Sequence, residues 1–255
     1  MTARSLTLNA LAGIPLIKPG DDLGALLIEA LKRSRVVPQD KDVIVVAQKV
    51  VSKAEGRFVD LKAVVPSARA IALAKEVNKD ARLVETILGE STEIVRQKRD
   101  VLIVAHRLGF IMANAGIDQS NVAGEVSDRA LLLPRDPDAS AAGLKARLDR
   151  EFGVDLGVII NDSFGRPWRF GVVGVALGAA GLPVVRNLIG VPDLFGRKLR
   201  VTEIAVADEI AAAASLLMGQ GAEGQPAVHL RGFEWNEPAA SASTLLRPKD
   251  QDLFR

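Results

Sequence analysis

Cysteine and tyrosine are both absent from the chain. Without cysteine there are no disulfides, no thiolate nucleophile and no zinc site built on sulfur, a pattern that suits a reducing compartment. Without tyrosine, and with only 4% aromatic residues, the core is left to aliphatic side chains. His106 and His229 are the only histidines. Neither has a His or Cys partner at ligand spacing, so both read as structural. No stretch approaches the ~20 uninterrupted apolar residues of a membrane span. Residues 1–12 lack the charged start and apolar run of a secretion signal, so a cytoplasmic protein with no membrane partner is expected. Charge of one sign is not in excess either: 33 Lys and Arg against 31 Asp and Glu leave a net +2, which gives no electrostatic reason for a nucleic-acid partner. The dipeptide Gly-Lys does not occur, which excludes a P-loop. No Gly-x-Ser-x-Gly elbow or Ser-His-Asp order supports a hydrolase triad.

What is present is 48% hydrophobic residues, chiefly Ala, Val and Leu, in 255 residues. A chain of this length buries roughly three quarters of its unfolded surface. Asp21 and Asp22 precede Leu23, Leu26, Leu27 and Leu31 at helical spacing, which predicts a capped helix over residues 23–35. Val43–Ala47 is a β-branched run suited to burial on both faces, with Gln48, Lys49, Ser52 and Lys53 at and beyond its end. Leu, Ile and Val at every third or fourth position predict helices over 67–78 and 81–97. Strands are expected at 101–105 and 109–115, the second running into turn chemistry at residues 116–121. Asp136 followed by Pro137 predicts a helix start and Gly153 its end, after which residues 154–161 return to strand. Glycines at 165, 171, 174, 178 and 181 allow a loop followed by closely packed strands or a hairpin. Residues 201–218 read as a strand passing into an Ala-rich helix, and Ala227–Arg231 as a final strand. Strands alternating with helices, together with hairpin-like regions near 109–133 and 171–188, give an α/β (α+β) fold: a mixed sheet with flanking helices, neither Rossmann nor P-loop. Residues 1–235 are the expected functional domain, and 236–255 an arm or loosely tethered tail.

The densest chemistry lies in residues 161–169, Asn-Asp-Ser-Phe-Gly-Arg-Pro-Trp-Arg. A carboxylate and a hydroxyl at a strand end can hold a hard cation, and arginines three apart can grip phosphate or carboxylate oxygens. A structural Asp at a turn with surface arginines is the competing reading. Asp118 with Asn121 is a weaker pair of the same kind. Lys49 and Lys53 can meet phosphate or can simply be solvated. Gly219, Gly221 and Gly224 spell Gly-x-Gly-x-x-Gly, yet they follow an expected helix and precede a strand, the reverse of a dinucleotide fingerprint. Either a helix C-terminal turn or a phosphate-binding loop fits them.

Residues 13–17 (Gly-Ile-Pro-Leu-Ile), 45–56 (Val-Val-Ala-Gln-Lys-Val-Val-Ser-Lys-Ala-Glu-Gly), 115–121 (Ala-Gly-Ile-Asp-Gln-Ser-Asn), 136–141 (Asp-Pro-Asp-Ala-Ser-Ala), 162–169 and 206–209 (Val-Ala-Asp-Glu) occur in one order and spacing. In these blocks the chain resembles the coenzyme F420-0:L-glutamate ligase family over residues 8–232. The resemblance implies a two-lobed fold, an intertwined homodimer, and GTP-dependent addition of L-glutamate to the terminal carboxylate of a deazaflavin coenzyme precursor, with further γ-linked glutamates in many members. It also implies Mg²⁺ or Mn²⁺, up to two ions per site, with K⁺ as a further ion. Carried over by position, Asp118 and Asp162 would be catalytic metal ligands, with Ser163 and Gln220 on a second metal. Ile14, Pro15, Leu16, Ile17, Gln48, Lys53, Asn121 and the loop Met218, Gly219, Gln220, Gly221, Ala222, Glu223, Gly224, Gln225 would surround GTP. Charge and position assign Arg166 and Arg169 as clamps for the anionic coenzyme or the incoming glutamate. A non-catalytic nucleotide or deazaflavin carrier, and a carboxylate–amine ligase with another acceptor, are the alternatives.

Overall fold

The computed structural model describes residues 4–119 and 128–253. In chain order its elements are β1 (Thr7–Ala10), α1 (Leu23–Arg33), β2 (Val43–Ala47), α2 (Gln48–Ala54), β3 (Phe58–Asp60), α3 (Ala68–Val77), α4 (Ala81–Gly89), β4 (Ser91–Lys98), β5 (Val101–His106) and β6 (Ile111–Ala113). There follow β7 (Arg129–Leu131), α5 (Pro137–Phe152), β8 (Gly157–Arg166), β9 (Arg169–Ala180), β10 (Arg186–Asn187), β11 (Glu203–Ile204), α6 (Val206–Met218) and β12 (Ala227–Arg231).

A five-stranded sheet of order β1-β12-β2-β8-β9 organises the chain. β2 runs parallel to β8, and the other pairings in this sheet are antiparallel, so the sheet is mixed. The run Val43–Ala47 is apolar throughout because both of its faces are covered. Ile44 and Val46, with Val158 and Ile160, face a cluster that includes Leu27 and Leu31 of α1 and Leu148 of α5. Val43, Val45 and Ile159 face Ala207, Ile210, Ala211 and Ala214 of α6, together with Trp235 and Ala242. Close approach of helix to sheet depends on two glycines of β9. A Cβ at Gly174 would lie 2.2 Å from Ser215 Oγ, and one at Gly178 would lie 2.2 Å from the Pro137 carbonyl oxygen.

The predicted helix ends are realised by side-chain caps. Asp22 accepts from Ala25 N–H, Asp136 from Ala139 N–H, and Gly153 closes α5 at φ 68°. Beyond Asn236 the chain packs back on the domain. Ala240 N–H bonds to the Leu182 carbonyl, Ala242 N–H bonds to Asp138 Oδ1, and Ala242 is fully buried.

A second assembly packs α3 and α4 against the β4-β5-β6 sheet around Leu73, Val77, Val84, Ile87, Leu102 and Val104. Here the structure corrects an expectation: the helix predicted over 81–97 ends at Gly89, and Ser91–Lys98 form β4. Register shifts between Ser91 and Glu93 and between Ile94 and Arg96 break the period-two alternation, leaving apolar spacing that imitates a helix. The polar string after β2, which carried no helix prediction, is α2. The glycine-bearing segment from Asp162 to Gly181, expected as a loop followed by closely packed strands or a hairpin, is a long hairpin of β8 and β9 without the leading loop.

Glu90 ties this second assembly together. It meets Arg57 Nη2 at 3.3 Å, Arg107 Nε at 3.0 Å and His106 Nε2 at 3.4 Å. Leu108 N–H donates to His106 Nδ1, which leaves Nε2 to carry the proton toward Glu90. Hydrogen bonding from His106 is the largest cause that lowers the Glu90 pKa, against burial and with help from Arg107 and Arg57, to about 2. A depressed carboxylate pKa stabilises the fold above the unfolded value and loses that stabilisation as pH falls toward the folded value. Glu90→Gln is therefore expected to cost on the order of 2–3 kcal/mol near neutral pH, with the deficit shrinking between pH about 4.5 and about 2. Denaturant melts of both proteins across that range measure the difference, and a pH-independent gap would contradict the account.

Candidate functional site

Strand order places the polar segments at one end of the large sheet. The pairs Ala47↔Asn161 across β2 and β8, Val46↔Ala227 across β2 and β12, and Ala10↔Val228 across β1 and β12 are in register. The chain leaving β1, the start of α2, the middle of β8 and the loop entering β12 therefore converge there. Ligands of open α/β sheets bind outside such strand ends.

A cavity of about 620 Å³ opens at this place. Ile14, Pro15, Leu16, Ile17, Gln48, Lys53, Asp162, Ser163 and the whole loop Met218, Gly219, Gln220, Gly221, Ala222, Glu223, Gly224, Gln225 line it, all of them sequence candidates. Lys49, read as either a phosphate contact or solvated, and Asn161, the first residue of the 161–169 run, line it as well, and so do Phe58 and Ser215, to which the sequence reading assigned no part in the site. Gln48 is buried and takes a hydrogen bond from Ser52 Oγ at 3.0 Å, one turn further along α2. Asn161 Nδ2 donates to Ser215 Oγ at 3.1 Å, fixing β8 to α6. Ser163 Oγ donates to Gln220 Oε1 at 2.8 Å, so the two residues expected on a second cation already meet.

Asp118 arrives from the second assembly. It follows a turn in which Asn114, Ala115 and Gly116 all have positive φ, an arrangement L-residues adopt only at a cost. Its N–H and carbonyl then pair with Leu131 of β7. This places Asp118 Oδ2 2.5 Å from Lys49 Nζ at the cavity wall. Burial raises the Asp162 pKa to about 6, with the Ser163 N–H and Lys49 lowering it and the Asp118 charge raising it. Burial likewise lowers Lys53, as does the charge of Lys49, while Asp118 raises it. Asp118, Asp162, Lys49 and Lys53 thus form one electrostatic cluster.

The Gly-x-Gly-x-x-Gly segment ends α6 and continues into the cavity wall. Gly219 caps α6 at φ 70°, and the loop beyond it lines the cavity. Glu223 braces it by accepting from Gly221 N–H at 2.8 Å, and its pKa is lowered by backbone N–H groups, its own first. Arg166 and Arg169 lie elsewhere. They pair with each other where β8 turns into β9, and the cavity lining among the described residues includes neither. Asn121 lies outside the described residues. His106 and His229 are structural, the latter bonded to Asp42 Oδ2 at 2.8 Å toward the opposite end of the sheet.

Residues 13–232 match the profile of the family described as F420-0:Gamma-glutamyl ligase. The chain belongs to the F420-0:gamma-glutamyl ligase family. A coenzyme F420:L-glutamate ligase of Methanothermobacter thermautotrophicus is 47% identical over 252 residues, 98% of this chain and 99% of that protein. Proteins of the same description from Methanopyrus kandleri and Archaeoglobus fulgidus are each 44% identical, over 94% and 95% of this chain and 93% and 94% of theirs. The profile of this ligase family thus spans every described segment that builds the cavity, from Ile14 to Pro226.

The coupling of the two aspartates is measurable. In Asp118→Asn the Asp162 midpoint is expected to fall below about 6, because a negative neighbour is lost and Lys49 remains. Carbon NMR titration of the aspartate carboxyls reads that midpoint, and an unchanged or higher value would show that the two groups do not interact.

Proposed function

We propose that this chain is a GTP-dependent, GDP-forming ligase that adds L-glutamate to coenzyme F420-0 and extends the product with further γ-linked glutamates. The observation that supports this most directly is that Asp162, Lys53 and Lys49, the last paired with Asp118, line a cavity walled by the loop at 218–225 and the apolar segment at 14–17. An anionic ligand held by charge and backbone, with a flat apolar group alongside, is the chemistry of a nucleoside triphosphate.

The donor set suits a hard divalent cation. Two carboxylates, a hydroxyl and an amide carbonyl are all oxygen donors, and the raised pKa of Asp162 reflects a cavity that calls for added positive charge. Asp118 and Asp162 would hold Mg²⁺ or Mn²⁺, with Ser163 and Gln220 available to a second ion. When bound, such an ion neutralises phosphate charge and polarises the transferring phosphorus. Lys53 adds positive charge to the phosphates, and the loop at 218–225 and the residues at 14–17 orient the nucleotide.

The reaction must turn a carboxylate into an acylating agent. One oxygen of the acceptor's terminal carboxylate attacks the γ-phosphorus, the bond to the β-phosphate oxygen breaks, and GDP leaves. The glutamate amine then attacks the acyl-phosphate carbonyl. Phosphate departs with the bonding electrons, and the amine proton passes to solvent.

A homodimer accompanies this reading. Trp168 (88% exposed) and Phe170 (104%) at the β8–β9 turn, and Leu194 (99%) and Phe195 (89%) between β10 and β11, are large apolar groups facing solvent, as at protein interfaces. In a dimer built on this face Arg166 and Arg169 would be clamps delivered at the interface. Light scattering is expected to give twice the 27.1 kDa chain mass for the wild type and the chain mass for Phe170→Asp; a monomeric wild type contradicts the assembly.

Asp162→Ala is expected to lower turnover at least ~100-fold, since loss of a metal ligand removes several kcal/mol of transition-state stabilisation. Incubation with F420-0, glutamate, GTP and Mn²⁺, read by mass spectrometry and by GDP and phosphate release, tests the activity. A glutamyl mass increment with equal GDP and phosphate supports it. Binding without GDP release would make the chain a carrier, and glutamylation of a different carboxylate would reassign the acceptor.

A further inference from the structure

Lys49 is the one charged group of the aspartate–lysine cluster to which the proposed reaction assigns no task. As the second residue of α2 it is held at the cavity wall, with Nζ 2.5 Å from Asp118 Oδ2. Its charge also acts on Asp162 and on Lys53. Asp118 and Asp162 come from different assemblies of the fold, and two like charges meeting in a half-enclosed space repel. The Lys49 ammonium beside Asp118 offsets that repulsion while the cavity is empty. An ammonium ion-paired with Asp118 lowers the negative potential of that carboxylate and so opposes the binding of a divalent ion to it.

We propose that Lys49 is a positioning residue and an internal stand-in cation: it holds Asp118 toward Asp162 in the empty enzyme and competes with the divalent ion for that carboxylate. On metal loading its ammonium is released into the cavity, where it faces the triphosphate. This rests on the metal and nucleotide reading given above.

The test is Mn²⁺ binding by the full chain without nucleotide, followed by loss of the free Mn²⁺ electron-paramagnetic-resonance signal. Lys49→Met is expected to bind Mn²⁺ about tenfold more tightly than wild type, because the competing charge is gone. Lys49→Arg, which keeps that charge, is expected to stay within about twofold of wild type. A non-hydrolysable GTP analogue is expected to tighten Mn²⁺ binding more in wild type than in Lys49→Met, since only the wild type has an ammonium to move onto the phosphates. Unchanged or weaker Mn²⁺ binding by folded Lys49→Met overturns the proposal while leaving the metal reading standing. Failure of the wild type to bind Mn²⁺ with or without the analogue removes both. Should Lys49→Met melt early, Lys49→Gln carries the same comparison.

Discussion

Ala47 and Asn161 sit side by side on parallel strands, and that pairing determines where the chemistry of the whole chain can be. β2 stops at this level and turns at once into α2, whose first residues are Gln48 and Lys49. β8 does not stop, so Asp162 and Ser163 continue past the edge that β2 leaves open. A slip of one residue between these strands would exchange the faces of Ile159 and Ile160 and turn Asp162 out of the cavity. Continuous burial of both faces makes such a slip costly, since each large aliphatic side chain moved out of the core forfeits roughly 1.5–3 kcal/mol. The precision of the polar site is borrowed from the apolar sheet beneath it.

Charge is handled by partition. The carboxylates that serve structure are saturated: Asp42 takes His229 and a bidentate Arg231, and Glu90 takes Arg57, Arg107 and His106. Their partners outweigh burial, and both are held below the ordinary carboxylate range. Asp162 goes the other way, because burial outweighs the help it gets from the Ser163 N–H and Lys49. Asp208 is raised by burial as well while it accepts from Ala176 N–H away from the cavity lining, so what distinguishes Asp162 is a raised value together with a place in the cavity wall.

Much of this was legible from composition and spacing. The doubly buried run Val43–Ala47, the Asp136-Pro137 helix start, the Gly153 stop and the final strand follow from local rules, and the structure reproduces them. Convergence of residues 14–17, 48, 53, 162–163 and 218–225 was legible only through resemblance, because no local pattern tells that β1, β2, β8 and β12 end at one place. β4 was hidden by its bulges, which remove the alternation a strand is read by. Lys49 stayed open between phosphate contact and solvation because its partner, Asp118, is remote in sequence and reaches it only through the pairing with Leu131. Arg166 and Arg169 stood out by charge and by closeness to Asp162 in sequence; an extended strand carries each successive residue ~3.3 Å further along, so they lie outside the cavity lining of the chain itself and their part as clamps is left to the dimer.

The bracing of the loop by Glu223 has one more implication. A glycine-rich loop that must be frozen by its ligand gives back part of the contact energy as lost conformational freedom. Here Glu223 accepts from Gly221 N–H, and its carboxylate lies against Gly219 where a Cβ would come within 2.1 Å. The bend is stitched by its own side chain before anything enters. Glycine at 219 is required for its positive φ, and the loop can meet an incoming ligand as a ready-made rim, with recognition resembling a key entering a cut lock more than a hand closing around it.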